Sequence, residues 1–262
     1  MKSTLSNRVI KVAAQAALVA GRQLLKKYDH FDRSQVRYKS VREILTAADL
    51  VSNRIIKKQI KAAFPDHRIL SEESGLSSKT STSPYLWIVD PLDGTTNFSI
   101  HNPLWAISIA FCFEDKVEVG LVLAPALGEV YLAVRGQGAY LNGERIEVSK
   151  KKGKETIHTF CHGSDLKYLR QALKYYQHQK LNYLDCRQMG SAALELAYTA
   201  CGRVESLAVP GANSWDVAAS ALLVSEAKGR VSDIHGKAWN IKSDGIVASN
   251  GQEHSRLVKL FR

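Results

Sequence analysis

Apolar residues recur at helical spacing from the start of the chain. Leu5, Val9, Val12, Ala13, Ala16, Val19, Ala20 and Leu24 fall on one side of a 3.6-residue turn. The pattern predicts an amphipathic helix over 5–27, with Ser6 or Thr4 as its cap. A second helix is predicted from Ala47 to Phe64, with Leu50, Ile55, Ile56 and Ile60 as its apolar stripe and Pro65-Asp66 ending it. A short strand, Arg68 to Glu72, follows. Gly75 to Pro84 is rich in Ser and Thr and reads as a mobile surface loop. Tyr85-Leu86-Trp87-Ile88-Val89 is an unbroken apolar run with aromatic and β-branched residues, which predicts a buried strand ending at Asp90.

From Leu104 to Val148 the pattern changes to alternating apolar segments. They are broken at Glu114-Asp115-Lys116, Pro125-Ala126-Leu127-Gly128 and Asn142-Gly143, and the last is a strong hairpin signal. This predicts a β-meander. Beyond Lys150-Lys151-Lys152-Gly153-Lys154, which reads as a surface turn, helices and strands alternate. Helices are predicted near 165–178, 191–201 and 215–228, and strands near 157–161, 183–186, 204–208 and 245–248. A boundary near residue 150 divides the chain into 1–150, with a helix pair and a mostly antiparallel sheet, and 151–262, an α/β half. No internal repeat of solenoid length is present.

Composition narrows the class. The chain has 262 residues, 45% of them hydrophobic, which suffices for a full core. No apolar run approaches the roughly 20 residues of a membrane span. The first helix is interrupted by Gln15, Arg22 and Gln23 and lacks a cleavage pattern, so a cytoplasmic protein is expected. Cys112, Cys161, Cys186 and Cys201 are scattered and read as reduced thiols. A net charge of +11 suits an anionic substrate or a nucleic-acid partner. The basic residues are dispersed, without interleaved aromatics for stacking bases, so RNA or transcription-machinery binding remains a secondary reading.

The chemistry concentrates in Trp87-Ile88-Val89-Asp90-Pro91-Leu92-Asp93-Gly94-Thr95-Thr96-Asn97-Phe98. Two acids stand three residues apart at the end of a buried strand. Pro91 fixes the backbone between them, and Gly94 permits close approach of a ligand. Thr95, Thr96 and Asn97 offer hydroxyls, an amide and N–H groups at a helix start, where phosphate binds readily. Asp90, Asp93 and the Leu92 carbonyl are hard oxygen donors of the kind Mg²⁺ takes. Such a turn alone is often only a turn. Glu72-Glu73-Ser74 after a predicted strand, and Asp216 in the first turn of a predicted helix, make a shared cation site the better reading.

These segments, with Gly190-Ser191-Ala192-Ala193 and Trp215-Asp216-Val217-Ala218-Ala219, resemble the inositol monophosphatase family of lithium-sensitive, Mg²⁺-dependent phosphatases, bacterial branch, essentially end to end. The resemblance implies an α/β (α+β) fold of layers α-β-α-β-α and a homodimer. It implies two or three Mg²⁺: Glu72, Asp90, the Leu92 carbonyl and Asp93 for the first, Asp90, Asp93 and Asp216 for the second, and Glu72 with water for a third. Asp49 and Thr95 would orient the attacking water. Asp93, Gly94, Thr95, Ser191 and Ala192 would face the substrate, the Gly94 and Thr95 N–H groups gripping its phosphate. The implied activity is hydrolysis of inositol monophosphate or a related small sugar or polyol phosphate. Fructose 1,6-bisphosphate and 3′-phosphoadenosine 5′-phosphate are the alternatives. One position departs from the family pattern. Val209 stands where inositol-preferring members carry a glutamate, and Glu205 is the nearest acid that could replace it.

Overall fold

Side-chain alternation along one strand sorts the core into layers. In β5 (Tyr85–Asp93), Trp87 and Val89 face one way and Leu86 and Ile88 the other, and all four are buried. The computed structural model describes residues 3–40, 43–77 and 82–261. Trp87 and Val89 pack, with Ile107, Ile109 and Phe111, against α1 (Ser3–Tyr28) and α2 (Ala47–Ala63). Leu86 and Ile88 pack against α5 (Ala192–Ala200) and α6 (Ser214–Glu226).

The first large sheet has eight strands in the order β10-β9-β8-β7-β6-β5-β3-β4. Its members are β3 (Arg68–Ser71), β4 (Gly75–Leu76), β5, β6 (Ala106–Phe113), β7 (Lys116–Ala124), β8 (Glu129–Val134), β9 (Gly138–Leu141) and β10 (Glu144–Ile146). From β5 to β10 it is the antiparallel meander expected, while β3 lies parallel to β5. The Asn142-Gly143 hairpin carries positive φ at both positions, 50° and 89°, as a type I′ turn requires.

The second sheet has five strands in the order β12-β11-β13-β15-β14. They are β11 (Ile157–Phe160), β12 (Asp185–Arg187), β13 (Ser206–Pro210), β14 (Arg230–Ser232) and β15 (Gly245–Ser249). Leu207, Val209, Ile246 and Ala248 turn toward α5 and α6, and Ala208 and Val247 toward α4 (Leu166–Asn182) and α7 (His254–Lys259). The layers are therefore α1/α2, sheet, α5/α6, sheet, α4/α7. The middle helices are apolar nearly all round, because both faces are covered.

Several expectations change in detail. Thr4 and Ser6 lie inside α1, so neither caps it, and the Ser6 hydroxyl is buried without a hydrogen bond among the described residues. Leu50 is exposed, and α2 faces the core through Ile56 and Ile60 beside Asp49, Ser52 and Asn53. The polar inward face of α2 is what a helix shows when it borders a site. Within the expected loop 75–84, Gly75–Leu76 pairs with β3, and residues 78–81 lie outside the described residues. The hairpin of β1 (Arg37–Ser40) and β2 (Glu43–Leu45), together with β14 and α7, had no periodic signal long enough to read. The four cysteines are free thiols. Among the described residues no helix is long and apolar enough to cross a membrane.

Three buried histidines are held neutral. His67 lies stacked between Phe64 and Tyr85, and its Nδ1 accepts the Trp87 indole N–H at 3.1 Å. His158 contacts the Thr156 and Ser206 hydroxyls at 2.9 and 2.7 Å, and His254 the Ser249 and Ser232 hydroxyls at 2.9 Å each. Burial pushes all three down from 6.5 to about 4. Between those pH values the unfolded chain binds protons that the folded chain refuses, so these groups lower stability as the pH falls from about 6.5 to about 4. Other groups titrate there too, and the informative readout is a difference. Replacing His254→Gln should flatten the fall in stability by up to about 1.4 kcal/mol per pH unit, measured by denaturant unfolding from pH 7 to pH 4.5. Parallel curves for the two proteins would show that folding leaves the proton affinity of His254 unchanged.

Candidate active site

The acids of the sequence motif are aimed by a fault in strand pairing. Strict alternation in β5 would send Asp90 and Asp93 to opposite faces. The register against β6 shifts between them, and the Ser52 hydroxyl holds the Pro91 carbonyl at 2.7 Å. Both acids then line one cavity of about 670 Å³, along with Glu72 at the end of β3 and Asp216 at the start of α6. Asp90 is closed over at 2% exposure, its Oδ1 accepting the Leu92 N–H at 3.0 Å.

Helix caps aim two further acids. Thr46 and Asp49 form a capping box at the start of α2, and Asp49 Oδ2 accepts the Thr46 N–H at 2.8 Å. Its Oδ1 accepts the Thr95 hydroxyl at 2.9 Å, and that hydroxyl also lies 3.0 Å from the Leu92 carbonyl. Asn213 and Asp216 form a second box at the start of α6, with Asp216 Oδ2 accepting the Asn213 N–H at 2.8 Å. Each acid closes a helix with one oxygen, and the other oxygen of Asp49 takes the Thr95 hydroxyl.

The remaining predicted residues are distributed unevenly. Gly94, Thr95 and Ala192 line the cavity. Asp49 does not; it sits behind Thr95, 1% exposed. Ser191 also lies behind the wall, 1% exposed. Its hydroxyl donates to Asp93 Oδ2 at 2.5 Å instead of facing the substrate side. Gly94 has φ 86°, and a Cβ there would come within 2.9 Å of the Leu104 carbonyl, so only glycine fits where the chain turns into α3 (Thr95–Ser99). Glu205 is no substitute for the missing glutamate. It is buried away from the cavity, and its carboxylate accepts the Ile157 N–H at 2.6 Å.

The electrostatics are one-sided. Burial raises Asp90, and the negative charges of Glu72, Asp93 and Asp216 raise it further. Asp93 is pushed up to about 6, chiefly by burial, against the hydrogen bonds from Ser191 and Ala193. Asp216 is raised by burial and by the charges of Asp93 and Glu72. Four carboxylates therefore line one cavity with no lysine or arginine among its described lining. Their donor set is all oxygen, which suits a hard divalent cation. Among the described residues no three Asp, Glu, His or Cys side chains are arranged as a complete ligand cluster.

The inositol monophosphatase family model matches residues 6–262. The chain belongs to the inositol monophosphatase family. It is 37% identical to a Nus factor SuhB of Pasteurella multocida over 93% of this chain and 91% of that one. It is 39% identical to a fructose-1,6-bisphosphatase/inositol-1-monophosphatase of Thermotoga maritima over 84% and 82%. Among solved structures, the extragenic suppressor protein suhB of Bartonella henselae superimposes with a TM-score of 0.89 at 31% identity, covering 97% of this chain and 98% of that one. Membership makes the chain a phosphatase, a phosphoric monoester hydrolase, with the layered α+β fold of its relatives.

The cavity lining also carries residues that sequence reasoning passed over, His162, Ser164, Gln188 and Asn213, beside the Val209 already singled out. The available signal was position. Cys161-His162-Gly163 leaves the C-terminal end of a predicted strand, where α/β sheets commonly bind ligands. The crowding of carboxylates also has a measurable cost. With divalent cations chelated, Asp90→Asn should raise stability by about 1–2 kcal/mol, on the order of 2–6 °C in melting temperature, because the amide keeps the Leu92 hydrogen bond and removes a buried charge. Calorimetry in chelator checks this. A lower melting temperature would mean that the repulsion is relieved by a group of the protein itself.

Proposed function

We propose that this phosphatase is Mg²⁺-dependent and hydrolyses inositol monophosphate or a related small sugar or polyol phosphate by direct attack of water. The observation that carries the reading is a cavity built for an anionic ester from Glu72, Asp90, Asp93 and Asp216, with no basic side chain among its described lining. Glu72, Asp90, the Leu92 carbonyl, Asp93 and Asp216 would hold two or three ions. When bound, Mg²⁺ supplies acidification of water and neutralisation of the departing oxygen.

The chain's own groups perform the rest. Thr95 directs its hydroxyl proton at Asp49 and the Leu92 carbonyl, so its oxygen is left to accept a hydrogen bond from the attacking water. Asp49, buried behind it, holds that orientation. The N–H groups of Gly94 and Thr95, at the start of α3, would bind phosphate oxygens. Asp93 is held by Ser191 and Ala193, so it keeps one orientation while the phosphoryl group moves in line. No nucleophilic side chain is required, and no phosphoenzyme is expected.

Asp93→Asn and Asp216→Asn should lower kcat by at least about 100-fold while remaining folded, and Glu72→Gln should raise the Mg²⁺ concentration needed for half-activation. Asp49→Asn should lower kcat more than metal affinity. Steady-state kinetics across a Mg²⁺ series tests all four. Wild-type rates in the Asp93 variant would remove the metal assignment.

Val209 lines the cavity and offers no acceptor, so selection among polyol hydroxyls should be weak. Val209→Glu should raise kcat/KM for inositol 1-phosphate several-fold over other esters. A panel that includes fructose 1,6-bisphosphate and 3′-phosphoadenosine 5′-phosphate compares the alternatives. Unchanged ratios in the variant would show that this wall does not touch the polyol.

A second reading draws on the net charge of +11 and on relatives named Nus factor SuhB: an RNA- or transcription-associated role on the same chain. A salt-dependent RNA gel shift retained by Asp93→Asn would separate that role from catalysis.

A further inference from the structure

Glu195 is an acid with no cation. It lies in the first turn of α5, wholly buried, and burial pushes it up to about 7. Its Oε1 accepts three hydrogen bonds: from the Met189 N–H at 3.0 Å, the Gly190 N–H at 2.9 Å and the Cys161 thiol at 3.1 Å. Its Oε2 has no hydrogen-bond partner among the described residues. A buried carboxyl without a counter-charge is costly, and a residue needed only to fill space would be apolar.

The turn that Glu195 holds is the seam between the two sheets' contributions to the site. Gly190 has φ 82°, and a Cβ there would meet the Asn97 amide at 3.1 Å. The Met189 carbonyl accepts from Asn97 Nδ2 at 2.7 Å, and the same amide reaches the Leu104 carbonyl at 2.6 Å. The next residue, Ser191, donates to Asp93 Oδ2 at 2.5 Å, and the Ala193 N–H reaches that same oxygen at 2.8 Å. A Cβ on Gly94 would lie 3.2 Å from the Gly190 carbonyl and 3.3 Å from Ser191 Cβ. The turn therefore abuts both the acid motif and the backbone beside Thr95.

We propose that Glu195 is a positioning residue. By binding two consecutive N–H groups from inside the second half, it sets the turn 189–191. Ser191 then fixes the rotation of the Asp93 carboxylate and the direction in which Oδ1 is offered to a cation. Asn97 holds the turn from the other side, so its register is determined at both ends. A side chain without an acceptor at 195 leaves two buried N–H groups unpaired, and the turn shifts to regain partners. Asp93 moves with it. The inference rests on the Mg²⁺-phosphatase reading and adds a determinant of metal affinity that touches neither metal nor substrate.

Glu195→Met keeps the volume and removes the acceptor. It should raise the Mg²⁺ dissociation constant about tenfold and lower kcat about tenfold, with KM for the ester within about twofold of wild type. Glu195→Gln retains an acceptor and should restore most of both. Calorimetric Mg²⁺ titration of each folded protein gives the metal term without turnover. Ser191→Ala breaks the same path nearer Asp93 and should reproduce the loss of Mg²⁺ affinity, which keeps the test available should Glu195→Met fail to fold. Unchanged Mg²⁺ affinity in Glu195→Met with only a lower melting temperature, or unchanged affinity in Ser191→Ala, overturns the proposal. A wild-type protein that neither binds Mg²⁺ nor is activated by it overturns the parent reading instead, and this one with it.

Discussion

The gathering of Glu72, Asp90, Asp93 and Asp216 around one cavity, with no lysine or arginine among its described lining, is the constraint around which the molecule is arranged. Burial raises Asp90, Asp93 and Asp216 first, and repulsion from neighbouring carboxylates raises them further. Folding must bring the acids together against that force. It does so with apolar layers on both faces of the first sheet, one of them continuous with the second sheet through α5 and α6. The site lies where acids from β3, β5 and α6 meet. An isolated fragment holding fewer of these layers would have less burial to set against the same repulsion.

The acids are aimed by devices that are ordinary parts of secondary structure. Asp49 and Asp216 are the third residues of their helices, and each satisfies the N-cap backbone with one oxygen. A capping aspartate is oriented before any ligand arrives, because the helix end needs it. Asp90 and Asp93 are brought to one side by the irregular pairing around Pro91. Thr95 joins the two devices, its hydroxyl lying between Asp49 and the Leu92 carbonyl.

Much of this was legible in the chain. Long periodic stretches such as α1 and α2 showed their type and extent, β5 showed its type and start but runs on to Asp93 where the apolar run predicted an end at Asp90, and the Asn142-Gly143 turn showed its hairpin. Elements of three residues such as β2 and β14 are too short for a period to emerge, and β1 with four is little better. The acids were legible because strand ends and helix starts are places where a carboxylate can be presented. The rest of the lining was not, because His162, Ser164, Gln188 and Asn213 come from three loops whose meeting is a property of the second sheet's packing. Ser191 shows the reverse error of emphasis: a helix-start hydroxyl reads as a ligand group, yet its proton is directed at Asp93. Leu50 shows the limit of apolar spacing where a helix turns a polar face inward.

Val209 and Glu195 together separate metal binding from substrate selection. Val209, on β13, faces the middle helices and presents only methyl groups to the cavity, so it offers no acceptor there. Glu195, on α5, is an acceptor buried outside the cavity lining, its Oε1 taken by two neighbouring N–H groups and a thiol. Residues after 150 thus place a buried acceptor behind Asp93 and an apolar side chain on the cavity wall. An arrangement of that kind holds the reacting phosphoryl group firmly while accepting variation in the alcohol attached to it. The constraint that binds the fold to its chemistry lies at Asp93, where groups from both sheets' neighbourhoods converge on one carboxylate.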